Sequence, residues 1–164
     1  MFAKVNSTAF ILLGSNQNQP LLQLQHALLR IEENIAAIIS ASSIYKTAAW
    51  GNRQQPVFYN QVIEVRTELK PIDLLEKLLL LENEMGRVRH TKWEPRIIDL
   101  DILFYEGIIS NQPRLTLPHP YLHERMFTLI PLNEIASTWV HPKLGLTVKD
   151  LLHLCTDPLK VEKI

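Results

Sequence analysis

Apolar and polar positions change period several times along this chain, and each change marks an element. TAFILLGSN, residues 8–16, is an apolar run that predicts a buried strand ending at Gly14. In QNQPLLQLQHALLRIEENI, Pro20 suits a first helical turn. Leu21, Leu24, Leu28, Ile31 and Ile35 then recur at helical spacing as one stripe. SASSIYKT, residues 40–47, is a short strand candidate. VFYNQVIEVRT alternates, with Phe58, Asn60, Val62 and Glu64 on one side and Tyr59, Gln61, Ile63 and Val65 on the other, mostly core, side. KPIDLLEKLLLLENEMG reads as a second helix, opened by Pro71 and stopped by Gly86. Ile72, Leu75 and Leu79 make its stripe, and Glu82 continues it where another leucine would sit. A carboxylate there is either exposed near the helix end or aimed into a site.

The basic stretch RVRHTKWEPR comes next, followed by the strand IIDLDILFY. EGIISNQPRLTLPHP predicts a turn, an edge strand and a Pro-rich bend, YLHERMFTLIPLNEIA a partly helical segment, and LTVKDLLHLC a last short helix. The order is β-α-β-β-α-β with helical additions. It predicts a split βαβ sandwich, an antiparallel or mixed sheet covered by helices, in one domain spanning 1–164.

Two aspartates in so apolar a strand demand a reason. Alternation puts Ile98, Leu100, Ile102 and Phe104 on the core face and Asp99 with Asp101 on the other. Their Cα atoms lie about 6.5–7 Å apart. Carboxylates converging to roughly 5 Å repel by about 3 kcal/mol at an effective dielectric near 20. Either the face is wet or a cation offsets the repulsion. Oxygen ligands of this kind suit Mg²⁺, which recruits substrate phosphates, and paired metals clamp phosphoryl transfer. Arg87, Arg89, His90, Lys92 and Arg96 lie just upstream. Arginine forks match phosphate oxygens, although such a run also serves as a solvated loop. Trp93 either docks that loop on the body or stacks on a planar ligand.

Composition narrows the field. Apolar residues make up 46% and charged residues 21%, ordinary values for a folded domain. The 17 Lys plus Arg balance the 17 Asp plus Glu, so broad nucleic-acid or membrane-surface binding is disfavoured. There is one cysteine, Cys155, which allows no internal disulfide and fits a reducing compartment. No apolar run has the length of a signal core or a membrane span. A soluble, cytoplasmic protein is expected. The chain carries no Walker-type or G-x-G-x-x-G motif.

PRIIDLDIL, preceded by GRVR and Trp93 and followed by RLTLPH and RMF, resembles the 6-hydroxymethyl-7,8-dihydropterin pyrophosphokinases of folate biosynthesis. GSN after the first strand and FYNQV in the third also match, and the resemblance runs from Ala9 to about Leu152. It implies a ferredoxin-like α+β sandwich, mainly an antiparallel sheet flanked by helices. It implies transfer of pyrophosphate from ATP to the pterin hydroxymethyl group with release of AMP. Carried over by position, Asp99 and Asp101 would hold two Mg²⁺ ions, and Arg87 and Arg96 would serve catalysis. Arg89, Arg114, Thr116, His119 and Arg125 would contact ATP, with the main chain near Ile102 meeting adenine. The pterin would stack between Phe58 and Phe127, with Asn60 on its edge, the backbone from Thr47 to Trp50 closing the pocket and Trp93 covering it. Glu82 matches a recurrent glutamate of the family. The implied partners are ATP and hydroxymethyl dihydropterin alone, with no nucleic acid and no membrane, on a monomer. Departures are Glu94 where Gly or Ala is usual, Phe58 for a common Tyr, Ala48 and Ala49 for proline, and Pro120 for an aromatic.

Two other readings compete. An RNA-binding module stacking bases on Phe58 and Tyr59 needs a basic sheet face, which the aspartate pair denies it. A retaining glycosidase suits a 5 Å carboxylate spacing of order, but its acid and nucleophile need opposed environments.

Overall fold

The computed structural model describes residues 6–49, 55–86 and 96–164. Five strands, β1 (Ser7–Ser15), β3 (Tyr45–Thr47), β4 (Phe58–Thr67), β5 (Asp99–Tyr105) and β8 (Val161–Lys163), run β5-β1-β4-β3-β8 across one sheet. A sixth, β2 (Ala37–Ala41), pairs with the far half of β4, and every pairing is antiparallel. A small hairpin of β6 (Ser110–Gln112) and β7 (Leu115–Leu117) stands apart. Helices α1 (Pro20–Asn34) and α2 (Pro71–Glu84) cover one face of the sheet. The other face carries α3 (Met126–Ala136) and α4 (Val148–Leu154), with a 3₁₀ turn at Leu122–Glu124 leading into α3. The α+β sandwich with an antiparallel sheet flanked by helices is therefore the observed architecture.

β1 explains the two-sided core. It is central, so its unbroken apolar run serves both layers: Ala9, Ile11 and Leu13 pack beneath α1 and α2, Phe10 and Leu12 beneath α3 and α4. Each fully buried Leu, Ile or Phe contributes about 1.5–3 kcal/mol of transfer free energy. Helix α1 presents Leu24, Ala27 and Ile31 to this core, whereas Leu21 is exposed. On α2 the fully seated residues are Leu74, Leu78 and Leu81, one position around from the anticipated stripe, and Ile72 and Leu75 flank them. Gly86, at φ 91°, ends α2 by donating its N–H to the Asn83 carbonyl.

Three expectations need correction. The first strand does not stop at Gly14 but runs on through Ser15. The segment expected as one strand over 40–47 is two, β2 and β3, joined through buried Ser42, whose N–H donates to the Val62 carbonyl and whose hydroxyl accepts the Val62 N–H. Phe104 lies on the opposite face from Ile98, Leu100 and Ile102. The cause is a bulge: Phe10 pairs with Phe104 but Ile11 pairs with Ile102, so Leu103 is the extra residue and the alternation flips after it.

Among the described residues no helix is long and apolar enough to cross a membrane.

Candidate active site

The site grows from the register of three strands. Gly14 lies opposite Asn60 on β4 and opposite Asp99 on β5. One step along, Leu12 lies between Val62 and Asp101. Directly opposed residues share a face, so Asn60, Asp99 and Asp101 all project toward the α3 layer. Gly14 is the gap between them. A Cβ built there would stand 3.1 Å from Asn60 Oδ1 and 3.9 Å from the Phe58 ring. The glycine is thus the floor of a cleft, a role that its reading as a strand end missed. The available signal was a single glycine inside a run otherwise rich in large apolar residues.

The cleft holds about 470 Å³, within the range of small-molecule sites. Its lining includes Thr47 on β3, Phe58 and Asn60 on β4, Arg96, Asp99 and Asp101 at and just before β5, and Arg125 and Phe127 at the start of α3. Buried Asn60 donates from Nδ2 to Thr47 Oγ1 at 3.1 Å, which fixes its amide plane. Arg125, at the entry to α3, lies between two rings, with its guanidinium carbon 4.9 Å from the Tyr121 centroid and 5.7 Å from that of Phe127. Burial presses its pKa down, while Asp101 and then Tyr121, Asp99 and Glu124 oppose that shift.

The two carboxylates differ. Asp99 is ion-paired with Arg96. Asp101 sits where burial, then the charges of Asp99 and Glu82, push its pKa up to about 7 against the pull of Arg96 and Arg125. A site that resists its own negative charge is a site that favours a cation. The fit to Mg²⁺ is sound: two partly buried oxygen donors on one face, with room in the cleft for waters and phosphates to complete the shell. Among the described residues no group of three or more His, Cys, Asp or Glu side chains gathers to form an all-protein cage.

Two residues outside the cleft hold this arrangement. Glu82 is neither exposed nor in the site. It is buried under the edge strand, where Oε1 accepts the N–H of Leu100, the residue between the two aspartates, at 2.7 Å. Asn16, from the GSN segment, accepts the Arg96 N–H on Oδ1 at 2.7 Å and donates its own N–H to the Arg96 carbonyl at 3.1 Å. Its amide also donates to Gln55 and to the Pro56 carbonyl, each at 3.3 Å. The GSN match therefore staples the chain on both sides of the cleft, a role the sequence reading left blank.

His119 lies near the carboxylates but outside the cleft lining. Its Nδ1 accepts the Tyr121 N–H at 3.3 Å, which leaves the ring proton on Nε2. Burial, and then Arg125, lower its pKa to about 4, so the ring is neutral at pH 7. Arg114 is on the surface, paired with Glu76 at 3.2 Å. Thr116 lies on β7, and the Ile102 side chain is buried in the core beneath α1 and α2. Arg87, Arg89, Trp50 and Trp93, with Glu94, lie outside the described residues.

The sequence pattern of the 7,8-dihydro-6-hydroxymethylpterin-pyrophosphokinase family, HPPK, matches residues 10–137. The chain belongs to this family. A 2-amino-4-hydroxy-6-hydroxymethyldihydropteridine pyrophosphokinase of Haemophilus influenzae is 46% identical over 136 residues, covering 82% of this chain and 85% of that protein. One of Bacillus subtilis is 39% identical over 134 residues, covering 81% and 80%. Among solved structures, a Plasmodium falciparum HPPK-DHPS with pterin and p-hydroxybenzoate superposes with a TM-score of 0.71 at 18% identity. The match covers 92% of this chain but only 43% of that longer one, so it speaks to the fold alone. As an HPPK family member the chain is a pyrophosphokinase with ATP as co-substrate, and the RNA-module and glycosidase readings fall away.

Proposed function

We propose that this chain transfers the pyrophosphoryl group of ATP to the hydroxymethyl group of 6-hydroxymethyl-7,8-dihydropterin, releasing AMP, with two Mg²⁺ ions held by Asp99 and Asp101. The observation that carries the reading is the row Asn60–Gly14–Asp99. Its ends belong to strands two inter-strand spacings apart, about 9.5 Å. A flat bicycle with a one-carbon arm, its edge on the amide, brings its hydroxyl to the carboxylate end. Phe58 and Phe127 supply rings for the faces of that bicycle. Asn60, with both donor and acceptor atoms, matches its edge.

The remaining roles follow from charge. Bound Mg²⁺ would neutralise the triphosphate and lower the pKa of a hydroxyl placed on it. Asp99 and Asp101, on one face of β5, would hold the ions. Arg96, one end of its guanidinium on Asp99, has further N–H donors for phosphate oxygens. Arg125, its guanidinium over the rings of Tyr121 and Phe127, is a second cation for the same tail. His119 donates from Nε2 without adding charge. Arg87, Arg89, Arg114, Thr116 and the main chain near Ile102 would complete the ATP contacts, and Trp50 and Trp93 would contact the pterin. The enzyme acts as a cytoplasmic monomer.

Phosphorus NMR with ATP, Mg²⁺ and hydroxymethyl dihydropterin, and with each omitted in turn, tests this. AMP and pterin pyrophosphate are expected only in the complete mixture, and ADP as product would refute the chemistry. Asp99→Ala should lose turnover by at least about 10²-fold with an unchanged far-ultraviolet circular dichroism spectrum.

A further inference from the structure

The pterin end of the cleft has walls from different layers. Thr47 closes β3 on one side, and Phe127 stands in the first turn of α3 on the other. A carboxylate outside the cleft fixes one wall against the other. Glu134 follows Phe127 on α3 by two turns, on the same side of the helix. It accepts the Ser43 N–H at 2.9 Å, the Ser43 hydroxyl at 2.8 Å and the Tyr45 hydroxyl at 2.8 Å. Lys163 of β8 adds its ammonium at 3.2 Å.

These donors all lead back to the slot. Ser43 lies two residues before Tyr45, which begins β3; Tyr45 is opposite Lys163 and also opposite Asn60. Thr47, two residues on, pairs with Val161 of β8 on one side and Phe58 on the other, and its hydroxyl accepts the Asn60 amide. One side chain therefore ties α3, β3 and β8 into a ring around the pterin position. The bonds are charge-assisted. Burial would raise the pKa of Glu134, but the Ser43 and Tyr45 hydroxyls, the Ser43 N–H and Lys163 hold it at about 2. Burial and then the bond to Glu134 push Tyr45 up to about 12. α3 also needs an external anchor, because Pro131 withholds the N–H that would close on the Phe127 carbonyl. β8 lies beyond the family match at residues 10–137.

We propose that Glu134 is a positioning residue for pterin recognition: by locking α3 onto β3 and β8 it sets the spacing between Phe127 and the Thr47–Asn60 wall. The inference rests on the pterin reading above. Glu134 is not part of the cleft lining, and of the side chains assigned to ATP only Arg125 rides on α3, so the pterin end depends on it more than the ATP end does.

Steady-state kinetics on the full chain, varying each substrate at saturating concentrations of the other, test this alongside thermal melts. Glu134→Ala should raise KM for the pterin about tenfold and KM for ATP less than about twofold. Glu134→Gln, which still accepts from Ser43, should restore most of the loss. If Glu134→Ala does not fold, Tyr45→Phe keeps the ring, removes one donor, and should raise the pterin KM by about two- to fivefold. A pterin KM that stays at the wild-type value while the melting temperature falls would overturn the proposal, as would equal rises for both substrates. Failure of the wild-type chain to form AMP would instead overturn the pterin reading, and this inference with it.

Discussion

Replacing Gly14 with alanine tests the cleft floor most directly. Gly14 has ordinary strand backbone, so the substitution brings no φ strain, and the added Cβ meets Asn60 Oδ1 at 3.1 Å. Relief to an ordinary contact near 3.5 Å requires a shift of about 0.4 Å. That shift is away from β1 and toward β3, where Thr47 lies, so it crowds and bends the 3.1 Å Asn60–Thr47 bond out of good hydrogen-bond geometry. Stability changes little. Alanine gains about 0.4–1 kcal/mol by restricting the unfolded chain, and local crowding costs about 1–3 kcal/mol. The net loss is near 1 kcal/mol, or roughly 2–4 °C in Tm for a chain of this size. Binding suffers more, because the displaced amide loses its alignment with the pterin edge and the new methyl occupies the floor. A misaligned, buried hydrogen bond costs about 1–3 kcal/mol, hence about ten- to a hundredfold in Kd. Calorimetric titration with the pterin beside a thermal melt reads both quantities. An unchanged Kd, or a fall in Tm of ten degrees or more with binding lost only through unfolding, would refute the reasoning.

Two further outcomes follow from other residues. Because Asp101 titrates in the folded protein at about 7 rather than 3.8, its contribution to metal-free stability is full below pH 4 and is lost as pH rises through 7. Mg²⁺ should flatten that slope and release protons near neutral pH; calorimetry in buffers of different ionisation enthalpy measures the release, and none would place Asp101 in its ordinary range. Thr147 caps α4, its hydroxyl accepting the Asp150 N–H at 3.1 Å while Asp150 returns the bond to the Thr147 N–H at 3.0 Å, so Thr147→Ala should cost about 1 kcal/mol in urea unfolding and leave turnover intact.

The long elements were legible because their patterns are strong and local. Pro20, Pro71 and Gly86 mark helix ends through backbone chemistry that neighbours do not override. The face shared by Asp99 and Asp101 followed from strand alternation alone. What escaped depended on pairing across the sheet. Nothing in LDILFY announces that Leu103 is the extra residue opposite Ile11. Ser42 breaks β2 from β3 only because its backbone and hydroxyl both bond Val62, twenty residues away. Glu82 was seen as an unusual carboxylate on an apolar stripe, yet its burial and its partner, an edge N–H of β5, could not be found from helical spacing. The cleft floor was hidden for the same reason, since what Gly14 makes room for comes from β4 and β5.

The displaced register at Leu103 gives β5 two independent halves. Upstream of it the strand is free to evolve as a ligand bearer, with alternate positions chosen for charge. Downstream, the shift brings Phe104 round to the face of the aspartates, where it packs edge-on against Phe10 and beside Trp139 in the α3–α4 core. A change of chemistry at one end can therefore leave the hydrophobic architecture at the other untouched.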